Sequence, residues 1–155
     1  MSTSTLAIVE LILVALLMGA SFGHVLELGA KLRADGPQWL RYQHSLYNGA
    51  AWIGAPIELF AIAGATWMAW RAVGSEYQFI LALSSALTLC VACFVVGTFA
   101  SAVDRRTASW TEVSMPDDWP RWRSQWEYAQ AIRFVMQFAA FVDLMSSQVA
   151  MAGYS

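Results

Sequence analysis

Four long apolar stretches separated by shorter polar ones set the pattern of this chain. They run from about Leu6 to Leu32, Leu46 to Trp70, Phe79 to Val103 and Ala129 to Ala152. A helix needs about 20 mostly apolar residues to cross a bilayer, and each stretch is long enough. None alternates with a period of two, and backbone groups in lipid have to be paired within a helix or a closed barrel. The pattern therefore predicts an all-α fold, an integral membrane four-helix bundle, with residues 1–155 as a single transmembrane domain. Two polar links, 33–45 and 104–128, fall on the same side. Both carry an acid-then-proline helix start, Asp35-Gly-Pro37 and Asp117-Asp118-Trp119-Pro120.

Composition agrees with the pattern. Of the 155 residues, 58% are hydrophobic and 13% charged, against about 25% charged in average usage. Net charge is −2 with no basic block, which argues against a nucleic-acid partner. The N-terminal Met-Ser-Thr-Ser-Thr lacks the positive region of a secretory signal, so the first stretch reads as an uncleaved helix. Lys31, Arg33 and Arg41 lie in or beside the first link. Arg105, Arg106, Arg121, Arg123 and Arg133 lie in or beside the second, while the opposite side has Arg71 alone. The positive-inside rule places both links in the cytoplasm and both termini outside, as in a bacterial inner membrane. The four tryptophans of the second link (Trp110, Trp119, Trp122, Trp126) suit an interfacial aromatic belt. Cys90 and Cys93 are expected to be small packing residues facing a neighbouring helix.

Ionisable groups at membrane depth are functional candidates by default. His24 and Glu27 lie one helical step apart near the end of the first span. Ala15, Gly19, Gly23 and Glu27 share one i, i+4 row, and small residues permit close helix approach, so this pair is expected to face the interior. The second span offers His44, Tyr47 and Glu58, with Pro56 freeing a carbonyl beside Glu58. The fourth helix carries a polar stripe of Arg123, Trp126, Glu127, Gln130, Arg133 and Gln137 within about 120° of arc. Arg133 needs an anion, and Glu58 or Glu27 is its natural partner. One polar pocket lined by three helices is the expectation. Glu10 and Asp143, toward the other surface, are expected to pair or to snorkel.

The ordered elements His24-x-x-Glu27-x-x-x-Lys31, Gln43-His44-x-x-Tyr47, Pro56-Ile-Glu58, Thr107-x-x-Trp110 and Trp119-x-x-x-Arg123-x-x-Trp126-Glu127-x-x-x-x-x-Arg133 resemble a family of small four-helix membrane proteins that includes anthrone oxygenases. The resemblance implies oxygenation of a small aromatic or lipophilic molecule without metal or flavin. On it, His24 or Glu58 acts as base and Arg133 or Arg123 holds the oxyanion. Glu27, His44, Tyr47, Trp126, Glu127 and Gln130 would bind or orient the substrate. The chain departs from the family at Gln130, where members commonly have histidine, and at Ala102-Val103-Asp104, where many have Pro-Val-Asn. Two rival readings stand beside it. His24, Glu27, His44 and Glu58 are residue types that suit a transition metal. A bundle of this size could equally be a non-enzymatic subunit that packs in a larger complex, self-associates, or binds lipid or pigment.

Overall fold

The computed structural model describes residues 3–47 and 50–152, so residues 48–49 of the predicted second span lie outside it. All regular structure within those residues is helical. The elements are α1 (Thr3–Arg33), α2 (Gly36–Tyr42), α3 (Ala50–Arg71), α4 (Glu76–Val95), α5 (Ser101–Thr107) and α6 (Trp119–Ala152), with π-helical turns at Gln43–Tyr47 and Val96–Ala100. Among the described residues three stretches are long and apolar enough to cross a membrane: Thr5–Arg33, Trp52–Arg71 and Glu76–Thr107. The 34-residue α6 has the length, but its apolar part is interrupted by Gln130, Arg133, Gln137, Asp143 and Gln148. Both acid-proline signals start helices. The Asp35 carboxylate accepts from the Gln38 N–H at 2.8 Å, capping α2, and α6 opens at Trp119-Pro120. α3 turns back into α4 through Gly74, whose φ of 112° is open to glycine and strained for other residues.

The long helices meet along seams of period 3.5. On α1 the inward positions are Ala7, Glu10, Val14, Leu17, Ser21, His24, Leu28 and Lys31, and on α6 they are Trp126, Gln130, Arg133, Gln137, Ala140, Leu144 and Ser147. Alternating steps of three and four residues keep one face on the neighbouring helix, as in left-handed coiled coils. The Ala15-Gly19-Gly23-Glu27 row lies off this seam. Added Cβ atoms at Gly19 and Gly23 would meet nothing within 4 Å, and Glu27 is exposed. The expected inward pair is therefore split, with His24 on the seam and Glu27 at its edge. Small residues do crowd elsewhere: Ala61 and Ala65 of α3 pack with Ala82 and Ala86 of α4 in the main core. Large apolar side chains point outward instead, among them Trp52, Phe60, Trp67, Trp70 and Phe94. Cys90 also faces outward, so only the half-buried Cys93 can pack inward as expected.

A second core forms at the link end. Trp39, Ala100, Val103, Trp126 and Ala129 are buried there, with Trp110, Met115, Trp119 and Trp122 packed against them. Of the four link tryptophans Trp126 is thus a core residue, while Trp110, Trp119 and Trp122 are half-buried. The links fold back onto the helix ends, and their indoles fill that layer. At the opposite end Glu10 neither snorkels nor meets Asp143. Its side chain is buried against α3, where a Cβ on Gly64 would come within 1.9 Å of its Oε2. The missing side chain of Gly64 is the space that admits this carboxyl group. Gly64→Ala should destabilise the protein by about 1–3 kcal/mol through overpacking. In an Glu10→Ala background the penalty should shrink, because the clashing atoms are gone. Thermal unfolding in detergent of the two single variants and the double variant measures this coupling.

Candidate functional site

Two polar layers cross the helices. The deeper one joins α1, α3 and α6. Arg133 donates to Glu58 Oε2 at 2.8 Å, with 16% of the arginine and 5% of the glutamate side chain exposed. The Gln137 amide, turned to satisfy both of its ends, accepts from Arg133 Nε at 3.0 Å. Its nitrogen donates to the Leu17 carbonyl at 3.1 Å and to Ser21 Oγ at 2.7 Å. Ser21 Oγ then donates to the Met18 carbonyl. Glu58 thus meets the partner the sequence pointed to, and the inward face of α6 is the polar stripe. A buried ion pair is costly to desolvate, so these added hydrogen bonds are part of what makes it tolerable.

The shallower layer centres on a residue read from the sequence as a link charge. Lys31 is 4% exposed at its side chain, seven residues beyond His24 on the α1 seam. Its ammonium lies 2.8 Å from Glu27 Oε2, 3.3 Å from His24 Nδ1 and 3.9 Å from Glu127 Oε2, and it donates to the Tyr47 hydroxyl. The Tyr47 hydroxyl donates in turn to Glu27 Oε2 at 2.8 Å. An ammonium has three hydrogens and no acceptor, so Glu27, His24 and Tyr47 account for all three. Aromatic rings close the sides. The ammonium sits 4.3 Å from the Tyr47 ring centroid and 5.5 Å from that of Trp126, and the His24 ring lies 4.8 Å and 5.2 Å from those same rings. The π-helical turn Gln43–Tyr47 leads Tyr47 into this group, and such turns recur at functional sites. The sequence held a signal for Lys31: the seam spacing Ser21, His24, Leu28, Lys31 places it on the packed face.

Glu127 is the inner carboxylate of this layer, just before the apolar part of α6. Its side chain is fully buried. Oε1 accepts from Trp39 Nε1 at 3.1 Å, while Oε2 has no hydrogen-bond partner. Burial pushes its pKa from 4.5 up to about 7, against the opposing pull of Lys31 and of the Trp39 hydrogen bond. Arg123, one helical turn before Glu127, forms no ion pair with it. Arg123 donates to the Ala34 carbonyl at 2.7 Å and stacks 4.8 Å from Trp119. Gln130 is buried with Oε1 unpartnered. Trp126 donates to Asp104 at 2.8 Å, fixing α6 to α5.

His44 is not brought into either layer. Its Nε2–H donates to the Thr107 carbonyl at 3.0 Å. The residue lines an open groove of about 570 Å³ with Leu40, Arg41, Ser45, Trp110, Thr111 and Glu112, bridged by the Arg41–Glu112 pair at 2.8 Å. The expected single pocket is therefore two stacked polar layers and a separate surface groove. The metal reading loses its donor set, because no three His, Cys, Asp or Glu side chains among the described residues converge on one point. Glu27 is held by Lys31 and Tyr47, Glu58 by Arg133, and His44 by Thr107.

The deep pair is tested by Glu58→Gln and Arg133→Gln, each expected to cost about 3–5 kcal/mol by stranding its partner. The double variant should cost clearly less than their sum, and additive losses would remove the pairing. Glu127 gives a pH test. Its folded-state carboxyl keeps a proton to about pH 7, whereas in the unfolded chain it ionises near 4.5. The unfolded state thus binds fewer protons in that window, and the folded state loses stability as pH rises through it. Glu127→Gln should flatten this part of the stability profile, read as melting temperature against pH. Comparison of the chain with protein-family models, curated proteins and solved structures finds no match in any of the three.

Proposed function

We propose that the chain is an integral membrane enzyme that removes a proton from a small aromatic or lipophilic molecule and lets the resulting anion react with oxygen. The observation that carries this reading is the Glu127–Lys31 pair. A buried carboxyl poised near neutral pH, with one oxygen unpartnered, lies 3.9 Å from a buried ammonium. A base works best when its pKa lies near the working pH, and a fixed cation beside it lowers the energy of the anion being formed. The roles shift accordingly. Glu127 is the base and Lys31 the electrostatic stabiliser, while Arg133 and Glu58 hold α3 to α6.

The resemblance of the motif order to anthrone oxygenases supports a phenolic, anthrone-like substrate. Such a molecule supplies all four electrons itself. Its benzylic CH2 becomes C=O with one atom of O2, and the other oxygen leaves as water with the two hydrogens, so no metal or flavin is required. Within this proposal α6 completes a four-helix bundle in a bacterial inner membrane. Its polar positions face the other helices, and its outward face carries Ile132, Val135, Phe138, Val142 and Val149, a surface suited to lipid. With Lys31 and Arg133 buried in the bundle, Arg33, Arg41, Arg105, Arg106, Arg121 and Arg123 still outnumber Arg71, which supports cytoplasmic links.

One observation favours the non-enzymatic subunit. All three hydrogens of Lys31 are taken up within the chain, and Arg133 is ion-paired to Glu58, as a structural network requires. Oxygen uptake by bilayer-reconstituted protein given an anthrone separates the two readings. The enzyme should turn over faster as pH rises through about 7, because the base must be ionised. Glu127→Gln should lose about 10²- to 10⁴-fold in kcat. No uptake above the protein-free rate, together with a stably co-purifying membrane complex, would leave the subunit reading standing.

A further inference from the structure

We infer that His24 serves this site as a neutral hydrogen-bond donor to an anionic oxygen, with its proton placed on Nε2 by Lys31. The inference rests on the proposed function for the anion's origin, but its geometry stands apart from it. Lys31 Nζ lies 2.8 Å from the Glu27 carboxylate and is therefore an ammonium, which cannot accept a hydrogen bond. At 3.3 Å from that ammonium, His24 Nδ1 has to be the acceptor. The ring proton then belongs on Nε2. That atom has no partner among the described residues, and it is not among the sealed, unsatisfied polar atoms, so it faces accessible space. Tyr47 packs against the ring at a tilt of 48° and Trp126 edge-on at 82°, which limits its rotation.

The arrangement gives the imidazole one chemical use. A neutral ring with Nδ1 committed has no free lone pair with which to take a proton. It presents a single N–H to whatever enters beside it, and the oxygen of a phenolate or enolate accepts such a bond. His24 is then a catalytic residue in contact with substrate, and Lys31 is a positioning residue that acts through it. Glu27 and Tyr47 hold Lys31 in turn, so the donor is fixed at the end of a chain of three groups.

The first test reads the tautomer directly. Histidine labelled with 15N is incorporated into protein carrying His44→Gln, which leaves one imidazole, and its spectrum is recorded in bilayers. Nε2 should be protonated and Nδ1 bare. Lys31→Met should transfer a measurable share of the population to the Nδ1–H form. A wild-type ring protonated on Nδ1, or a tautomer indifferent to Lys31→Met, overturns the inference.

The second test uses 4-nitrophenol as probe, with its ionisation followed by absorbance on binding. The folded protein should favour the bound phenolate. His24→Leu should weaken phenolate binding about 10- to 100-fold, as expected for a hydrogen bond to a charged group. His24→Gln, whose amide N–H reaches about as far as Nε2, should recover most of it. Equal losses in both variants would point to a base or a packing role and overturn the donor. Neither readout needs turnover, so a failed oxygenase assay and a failed donor remain distinguishable.

Discussion

A buried lysine governs the link end of this protein. An ammonium moved out of water costs several kcal/mol unless charge and hydrogen bonds replace its hydration. Lys31 obtains them from three helical elements at once: Glu27 and His24 on its own helix, Tyr47 from the π-helical turn after α2, and Glu127 from α6. That requirement explains why the first link folds back instead of extending into solvent. It also explains why α2 is tied to α6 through Trp39 and Glu127. The indole layer around Trp39 and Trp126 then excludes water, which strengthens the same electrostatic contacts.

The deeper layer obeys the same rule with different groups. Glu58 and Arg133 come from α3 and α6, and Gln137, itself held by Ser21, accepts a second hydrogen bond from the arginine. Between and beyond the polar layers, alanine lines much of the interface beside Val14, Leu17, Leu89 and Leu144, while Trp52, Phe60, Trp67, Trp70 and Phe94 point outward. In lipid, apolar side chains gain little by turning inward, so close packing of small residues and paired polar groups hold the helices together. Glu10 seated at Gly64 is a third instance, in which a glycine makes room for a carboxyl group.

The two layers divide the work of the site. Arg133 and Glu58 are paired with each other, and Gln137 accepts a second hydrogen bond from the arginine, which suits a fastening of α3 to α6. Around Lys31 the pairing is uneven. Glu27 is 53% exposed, Glu127 is sealed, and one edge of His24 is open. A charged group linking a sealed carboxyl to an accessible ring edge is an arrangement that proton removal and anion stabilisation can use.

The sequence by itself determined the helical fold, three of the four expected apolar spans and the helix starts at Asp35 and Trp119. Length, hydropathy and capping act over a few neighbouring residues, so they are readable from one chain. It also narrowed the partner of Arg133 to Glu58 or Glu27, because a charge inside an apolar run has few available partners, and the fold chose Glu58. Only the tertiary structure decided the rest. Whether Lys31 belonged to a link or to a site depended on how the first link folded back, and a single side chain carries no record of that. The same folding separated Glu27 from the seam, left His44 at the surface, and drew Trp126 into a core. Partner choice among charges follows from distances between helices, which sequence spacing along one helix does not contain.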